Sequence, residues 1–120
     1  AKKVNENKLI LEAGGKAVDG VLSTDAAVSS RAWGADGPNT LVEGMNFGTG
    51  SISTEKVLTL PASPANNDII RIKAPGTMSA DVIIRRAGSQ TIDGNIQIHL
   101  ESPGAAISLQ YVGSDVWVIF

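Results

Sequence analysis

Side chains that could do chemistry are few in this chain and poorly spaced for it. His99 is the only histidine, and it stands in Asn95-Ile96-Gln97-Ile98-His99-Leu100-Glu101, two positions from a carboxylate. No second histidine exists to complete a His-rich metal site or a general-base pair. The segment alternates, which puts His99 on its polar side as a surface residue. Ser, His and Asp all occur, but no Gly-x-Ser-x-Gly elbow does. Gly44-Met45-Asn46-Phe47-Gly48-Thr49-Gly50 has the glycine density of a phosphate loop. No lysine follows it, and neither a buried strand before it nor a helix after it is predicted, so it reads as a glycine-rich turn. Asp19, Asp25 and Asp36 are too far apart for a compact calcium loop. With no cysteine, disulfides and thiolate metal sites are excluded. These residues predict a protein that is not an enzyme and carries no metal or cofactor, and whose work is to bind or build.

Residues suited to binding are easier to find. Arg71, Lys73, Arg85 and Arg86 fall in two strand-like segments that the sequence places side by side. Two readings stay open for them: a solvated sheet face, or a contact patch for an acidic protein surface or an anionic glycan. The second rests on the bidentate fit of guanidinium to carboxylate. Trp117 lies in an apolar run and reads as core. Trp33, between Ala32 and Gly34 in a weakly patterned stretch, reads as an exposed anchor for a partner's pocket. Leu9, Ile10, Leu11, Leu41 and Phe47 are candidate anchors of the same kind.

The elements that must position these groups are strands. Ile96, Ile98 and Leu100 share one face of the segment that carries His99, and Ala105, Ile107, Leu109 and Tyr111 alternate in the same way. Val116, Val118 and Phe120 line one side of a last strand, with Trp117 and Ile119 on the other, so both of its sides are expected to be covered. Asp68–Lys73, Asp81–Arg86 and Ser51–Leu60 also read as strands. Turn chemistry separates them at 63–67, Pro75-Gly76, Asp93-Gly94, Ser102-Pro103-Gly104 and 113–115. Short strands at this spacing, with no helix-length amphipathic segment between them, predict an all-β fold. The expected form is a small antiparallel β-sandwich or jelly-roll-like barrel. Residues 51–120 form that domain. Residues 1–50, rich in Ala, Gly, Ser, Asp and Asn, are expected to be an N-terminal arm or long loops that contact a partner.

Size and charge bound the partners. The 120 residues fit one domain. Ten basic and twelve acidic residues give a formal net charge of −2, which argues against nucleic acid. No apolar run approaches the roughly 20 residues that span a bilayer, so no membrane is expected. The first residues lack the apolar core of a secretory signal, so synthesis in a cytoplasm is expected.

Several segments together resemble a β-rich module of tailed-bacteriophage virion proteins. They are Val57-Leu58-Thr59-Leu60-Pro61, Asp68-Ile69-Ile70-Arg71-Ile72, the stretch from Val82 to Gly94, and that from Ile107 to Ile119. The module occurs in head decoration (cement) proteins, head fibres and tail-fibre ends, and the likeness covers residues 55–120. Its most specific parts are Ile92-Asp93-Gly94 and the Gly-x-x-x-Trp that ends at Trp117. The resemblance implies a small sandwich, often a homotrimer, without catalysis. The expectation drawn from it is a decoration protein on the capsid surface of the virion, bound to the major capsid protein and stabilising the head. The alternative is a receptor- or glycan-binding fibre tip. The absence of a repetitive shaft in a chain this short ranks decoration first.

Overall fold

The computed structural model describes residues 29–120. Within them the fold is all-β, as the alternation and turn chemistry predict. The strands, in chain order, are β1 (Ser30–Trp33), β2 (Gly44–Gly48), β3 (Ser51–Ile52), β4 (Lys56–Thr59), β5 (Ile69–Lys73) and β6 (Thr77–Met78). They continue as β7 (Val82–Arg85), β8 (Thr91–Ile92), β9 (Gln97–Leu100), β10 (Ala106–Tyr111) and β11 (Val116–Ile119). A six-stranded sheet has the order β1-β2-β5-β10-β11-β8, a three-stranded sheet the order β9-β7-β4, and β3 pairs with β6 alone.

The pairing departs from the antiparallel expectation. β2 runs parallel to β5, β3 to β6 and β4 to β7. In each pair the partner lies 26 positions further along the chain: Gly44 faces Ile70, Ser51 faces Thr77, and Lys56 faces Val82. The segment β2-β3-β4 is therefore one turn of a coil, and β5-β6-β7 is the next turn stacked upon it. β1 lies parallel to β2 and begins the stack. Strands β9 and β10 then run back along the top, antiparallel to β7 and β5, and close it. Parallel strands need a long crossover. Here two strands of the coil supply that crossover, so no helix is required. Alternation has a period of two whichever way the neighbour runs, which is why it could not reveal the direction.

One hydrophobic cluster takes side chains from all three sheets. Ile70, Ile72, Leu109 and Trp117 come from the large sheet, Leu58, Val82, Ile84 and Leu100 from the three-stranded one, and Ile52 from the pair β3-β6. β7, the centre of its sheet, is buried on both sides: Ile83 lies between Val57 and His99 in register and is 2 % exposed. That double burial accounts for the continuous run Val82-Ile83-Ile84.

The boundary drawn at residue 50 cuts through this fold. β1 and β2 belong to the large sheet, and Trp33 and Leu41 are core residues at 3 % and 2 % exposure. Gly44–Gly48 is a strand rather than a turn. Its glycine at 48 faces Trp33 in register, and a Cβ there would sit 2.8 Å from the indole and 2.6 Å from Pro75. A residue without a side chain is what lets Trp33 lie across the strand. The proposed anchors Leu9, Ile10 and Leu11 fall outside the described residues.

Three smaller expectations also change. Ser51–Leu60 is two short strands, β3 and β4, with a corner between them. Ile96 precedes β9 and is exposed, so only Ile98 and Leu100 of that alternating set reach the core. The last strand is covered only in part: Trp117 is fully buried and Val116 and Val118 are half-buried, whereas Ile119 and Phe120, at the strand's end, are 39 % and 62 % exposed.

Candidate interaction face

The outward face of the six-stranded sheet carries the candidate site. On β5 the alternation Ile69-Ile70-Arg71-Ile72-Lys73 sends the two isoleucines Ile70 and Ile72 into the core and leaves Arg71 and Lys73 exposed. Register then sets their neighbours. Arg71 stands between Met45 of β2 and Ser108 of β10, and the Phe120 amide donates to the Ser108 carbonyl. One row thus reads Met45, Arg71, Ser108, Phe120. In the next row Lys73 stands between Phe47 and Ala106.

Arg71 spans its row. Its guanidinium carbon lies 5.9 Å from the centroid of the Phe120 ring, within cation–π range. Lys73 is held differently, its ammonium donating to the Gly104 carbonyl. Phe47 is 37 % exposed at the other side of the two cations. The result is a guanidinium with exposed aromatic groups on either flank. Such a surface suits a carboxylate presented by an apolar partner: arginine supplies a two-pronged donor, and the rings supply dry contact area.

The structure sorts the sequence-predicted residues unevenly. Arg71 and Phe47 come together on this face. Arg85 and Arg86 do not join them, because β5 and β7 lie on different sides of the coil and in different sheets. Arg85 instead donates to the Gln97 side chain, and Arg86 reaches the Gln90 carbonyl at 3.5 Å. Trp33 and Leu41, expected as exposed anchors, are packed in the core. Phe120 is not among the candidate contact residues read from the sequence, and its place on the same side as Val118, away from Trp117, makes it outward-facing once Trp117 is known to be core.

A cavity of about 400 Å³ opens at the other end of this sheet, beside Trp33. The turn Gly34–Gly37 and the segment Thr49–Ser51 form its walls, with Asp36, Thr49 and Ser51 as polar lining. The indole Nε1 of Trp33 is buried and has no hydrogen-bond partner among the described residues.

No family model matches the chain, and no curated protein is significantly similar to it.

Proposed function

We propose that this chain is a structural virion protein, a decoration protein that binds the outer surface of a phage head and stabilises it. The observation that carries the reading is the exposed Phe47–Arg71–Phe120 face, a hot-spot composition on a rigid sheet. The partner is the major capsid protein, which would offer a carboxylate to Arg71 and apolar surface to the two rings. The protein acts as a homotrimer, and the exposed Val112 and Ile119 supply apolar area for self-association. A protein that binds only the assembled shell stabilises it by mass action, as RT ln(1 + [L]/Kd).

A second reading is favoured by the cavity beside Trp33. Its volume lies within the range of small-molecule sites, roughly 300–1,000 Å³, and its lining offers a carboxylate and hydroxyls. Those groups suit a sugar, as the receptor-binding tip of a fibre would require.

Cosedimentation separates the two. A decoration protein pellets with undecorated heads and loses that binding on Arg71→Glu, with its fold intact by circular dichroism. Binding to host envelopes that survives Arg71→Glu but is lost on Asp36→Ala would support the fibre reading instead. Deleting residues 1–28 adds a third arm, which asks whether that segment contributes to binding heads.

A further inference from the structure

We propose that Asp81, His99 and Glu101 form a binding site for one divalent cation of the zinc class. The site lies on the three-stranded sheet and owes nothing to the interaction face. His99 and Glu101, two positions apart, share a side of the chain at the end of β9. β9 runs antiparallel to β7 with His99 opposite Ile83 and Leu100 opposite Val82, so the next pair in line is Glu101 and Asp81. The Asp81 backbone is fixed from the other side, where its carbonyl accepts from the Lys56 amide at 3.0 Å. Register therefore converts a lone histidine into a three-ligand group that the linear spacing does not display.

The geometry fits. One ligand atom from each residue can be chosen so that all lie within 4.8 Å of one another, and His99 Nδ1 stands 2.9 Å from Asp81 Oδ2. Zinc bonds of about 2.1 Å at tetrahedral angles require ligand atoms roughly 3.4 Å apart, a value between these two distances. Small side-chain rotations on an exposed surface bring all of them to it. An imidazole with two carboxylates suits zinc, whereas calcium takes six to eight oxygens and magnesium keeps most of its water. Asp81 and His99 remain more than one-third exposed, so water can complete the coordination.

The surroundings of His99 make the inference sharper. Arg85 donates to Gln97 Oε1 from both Nε and Nη2, at 3.1 and 3.0 Å. With its oxygen so engaged, Gln97 turns its amide nitrogen toward His99 Nε2, at 3.3 Å. Nε2 therefore accepts, and the ring hydrogen sits on Nδ1, donating to Asp81. A metal on Nδ1 reverses this: the hydrogen moves to Nε2, where it faces the Gln97 amide nitrogen, another donor, while the Gln97 oxygen is held by Arg85. Gln97→Glu supplies that acceptor while still serving Arg85, and so it removes an obstacle to metal binding.

The test is calorimetric titration of the full chain, stripped with a chelator and dialysed, with ZnCl2. One saturable site per chain is expected, lost in His99→Ala and weakened about tenfold or more in Asp81→Asn and Glu101→Gln. Gln97→Glu is expected to tighten zinc by about tenfold, an effect that a nonspecific surface histidine would not show. MgCl2 is expected to give no comparable binding. The proposal is overturned by the absence of saturable zinc binding or by an unchanged affinity in His99→Ala. A Gln97→Glu variant that binds zinc more weakly than the parent would overturn it as well.

Discussion

The two tryptophans of this protein occupy opposite ends of the same sheet and differ in one bond. Trp117, on β11, is fully buried, and its indole N–H donates to Gln90 Oε1 at 3.0 Å. Its ring lies 5.2 Å from that of Tyr111 at an interplanar angle of 59°. Gln90 is itself 2 % exposed and spends its remaining capacity well: Nε2 donates to the Pro61 carbonyl at 2.9 Å, and Oε1 also accepts from the Ala87 amide at 3.3 Å. Trp33, on β1, is almost as buried, but among the described residues its N–H has no acceptor. Equal burial thus hides unequal energetics. At one end a satisfied polar network ties three separate chain segments together; at the other a residue of the same type contributes area and carries a donor that no described residue accepts, which costs about 1–3 kcal/mol if left unpaired. A cavity opens beside Trp33, at the end without the network.

The largest effect should come from removing the hub of the satisfied end. Gln90→Ala strands the Trp117 indole, the Ala87 amide and the Pro61 carbonyl at once. A loss of about 3 kcal/mol or more is expected, read from urea unfolding of the full chain. A shift under about 1 kcal/mol would mean that water replaces Gln90 and that the network is not what distinguishes this end.

Next in size is the direct contrast. Trp117→Phe leaves a gap and strips the Gln90 oxygen of its indole donor, leaving only the Ala87 amide, for about 2 kcal/mol. Trp33→Phe leaves a gap of the same size but removes an unsatisfied donor, so the net cost should stay under about 1 kcal/mol. Adding Gln90→Leu to Trp117→Phe removes both polar partners together, and the pair should cost less than the sum of its single changes. Equal melting losses for the two Trp→Phe variants would erase the comparison.

The turn beside the satisfied end gives a smaller effect. Ile92 and Asn95 exchange backbone bonds, both at 2.8 Å, around Asp93 and Gly94, whose φ values are 47° and 85°. Two successive positive φ angles define a type I′ turn, which is what Asp-Gly between strands predicts. No atom lies within 4 Å of a Cβ built on Gly94, so a substitution there meets strain rather than collision. Gly94→Val should cost about 1 kcal/mol, measured by thermal melting, and Gly94→Asn clearly less. Equal losses from the two would show that space, not backbone angle, governs the position.

The same two ends show what the sequence could reveal. Near Trp117 the signals are local: alternation in β9 and β10, and Asp-Gly at the turn, each readable within a few residues. Near Trp33 they are not. Ser30–Trp33 and Gly44–Gly48 become strands because each finds a partner on a neighbouring turn of the coil, and no window of ten residues contains that information. One trace was present. Gly50-Ser51-Ile52-Ser53 recurs as Gly76-Thr77-Met78-Ser79, and Val57-Leu58 as Ile83-Ile84, at the spacing of the coil. A search for internal repeats is the reading that could have found the parallel stack. The candidate face was half legible for the same reason: Arg71 announced itself by charge, whereas the separation of Arg85 from it depends on which way the coil turns.

The smallest effect on stability concerns Phe120, three residues from Trp117 and its opposite in environment. Trp117 sits in the core, while Phe120 is 62 % exposed, with the Arg71 guanidinium over its ring. An exposed cation–π contact contributes about 0.5–1 kcal/mol at most, and the ring gives up little buried area when removed. Phe120→Ala should therefore lower stability by less than about 1 kcal/mol in urea unfolding. If the sheet face is the contact surface, the same change should weaken cosedimentation with heads by about tenfold or more, the signature of a buried aromatic anchor in a complex. The dissociation of the two readouts is what matters. A residue that matters to the fold lowers both together, as Gln90→Ala should; one that matters to a partner leaves melting intact and changes binding alone. Phe120→Ala that melts normally and binds heads normally would remove the aromatic flank from the proposed contact and leave Arg71 to carry it.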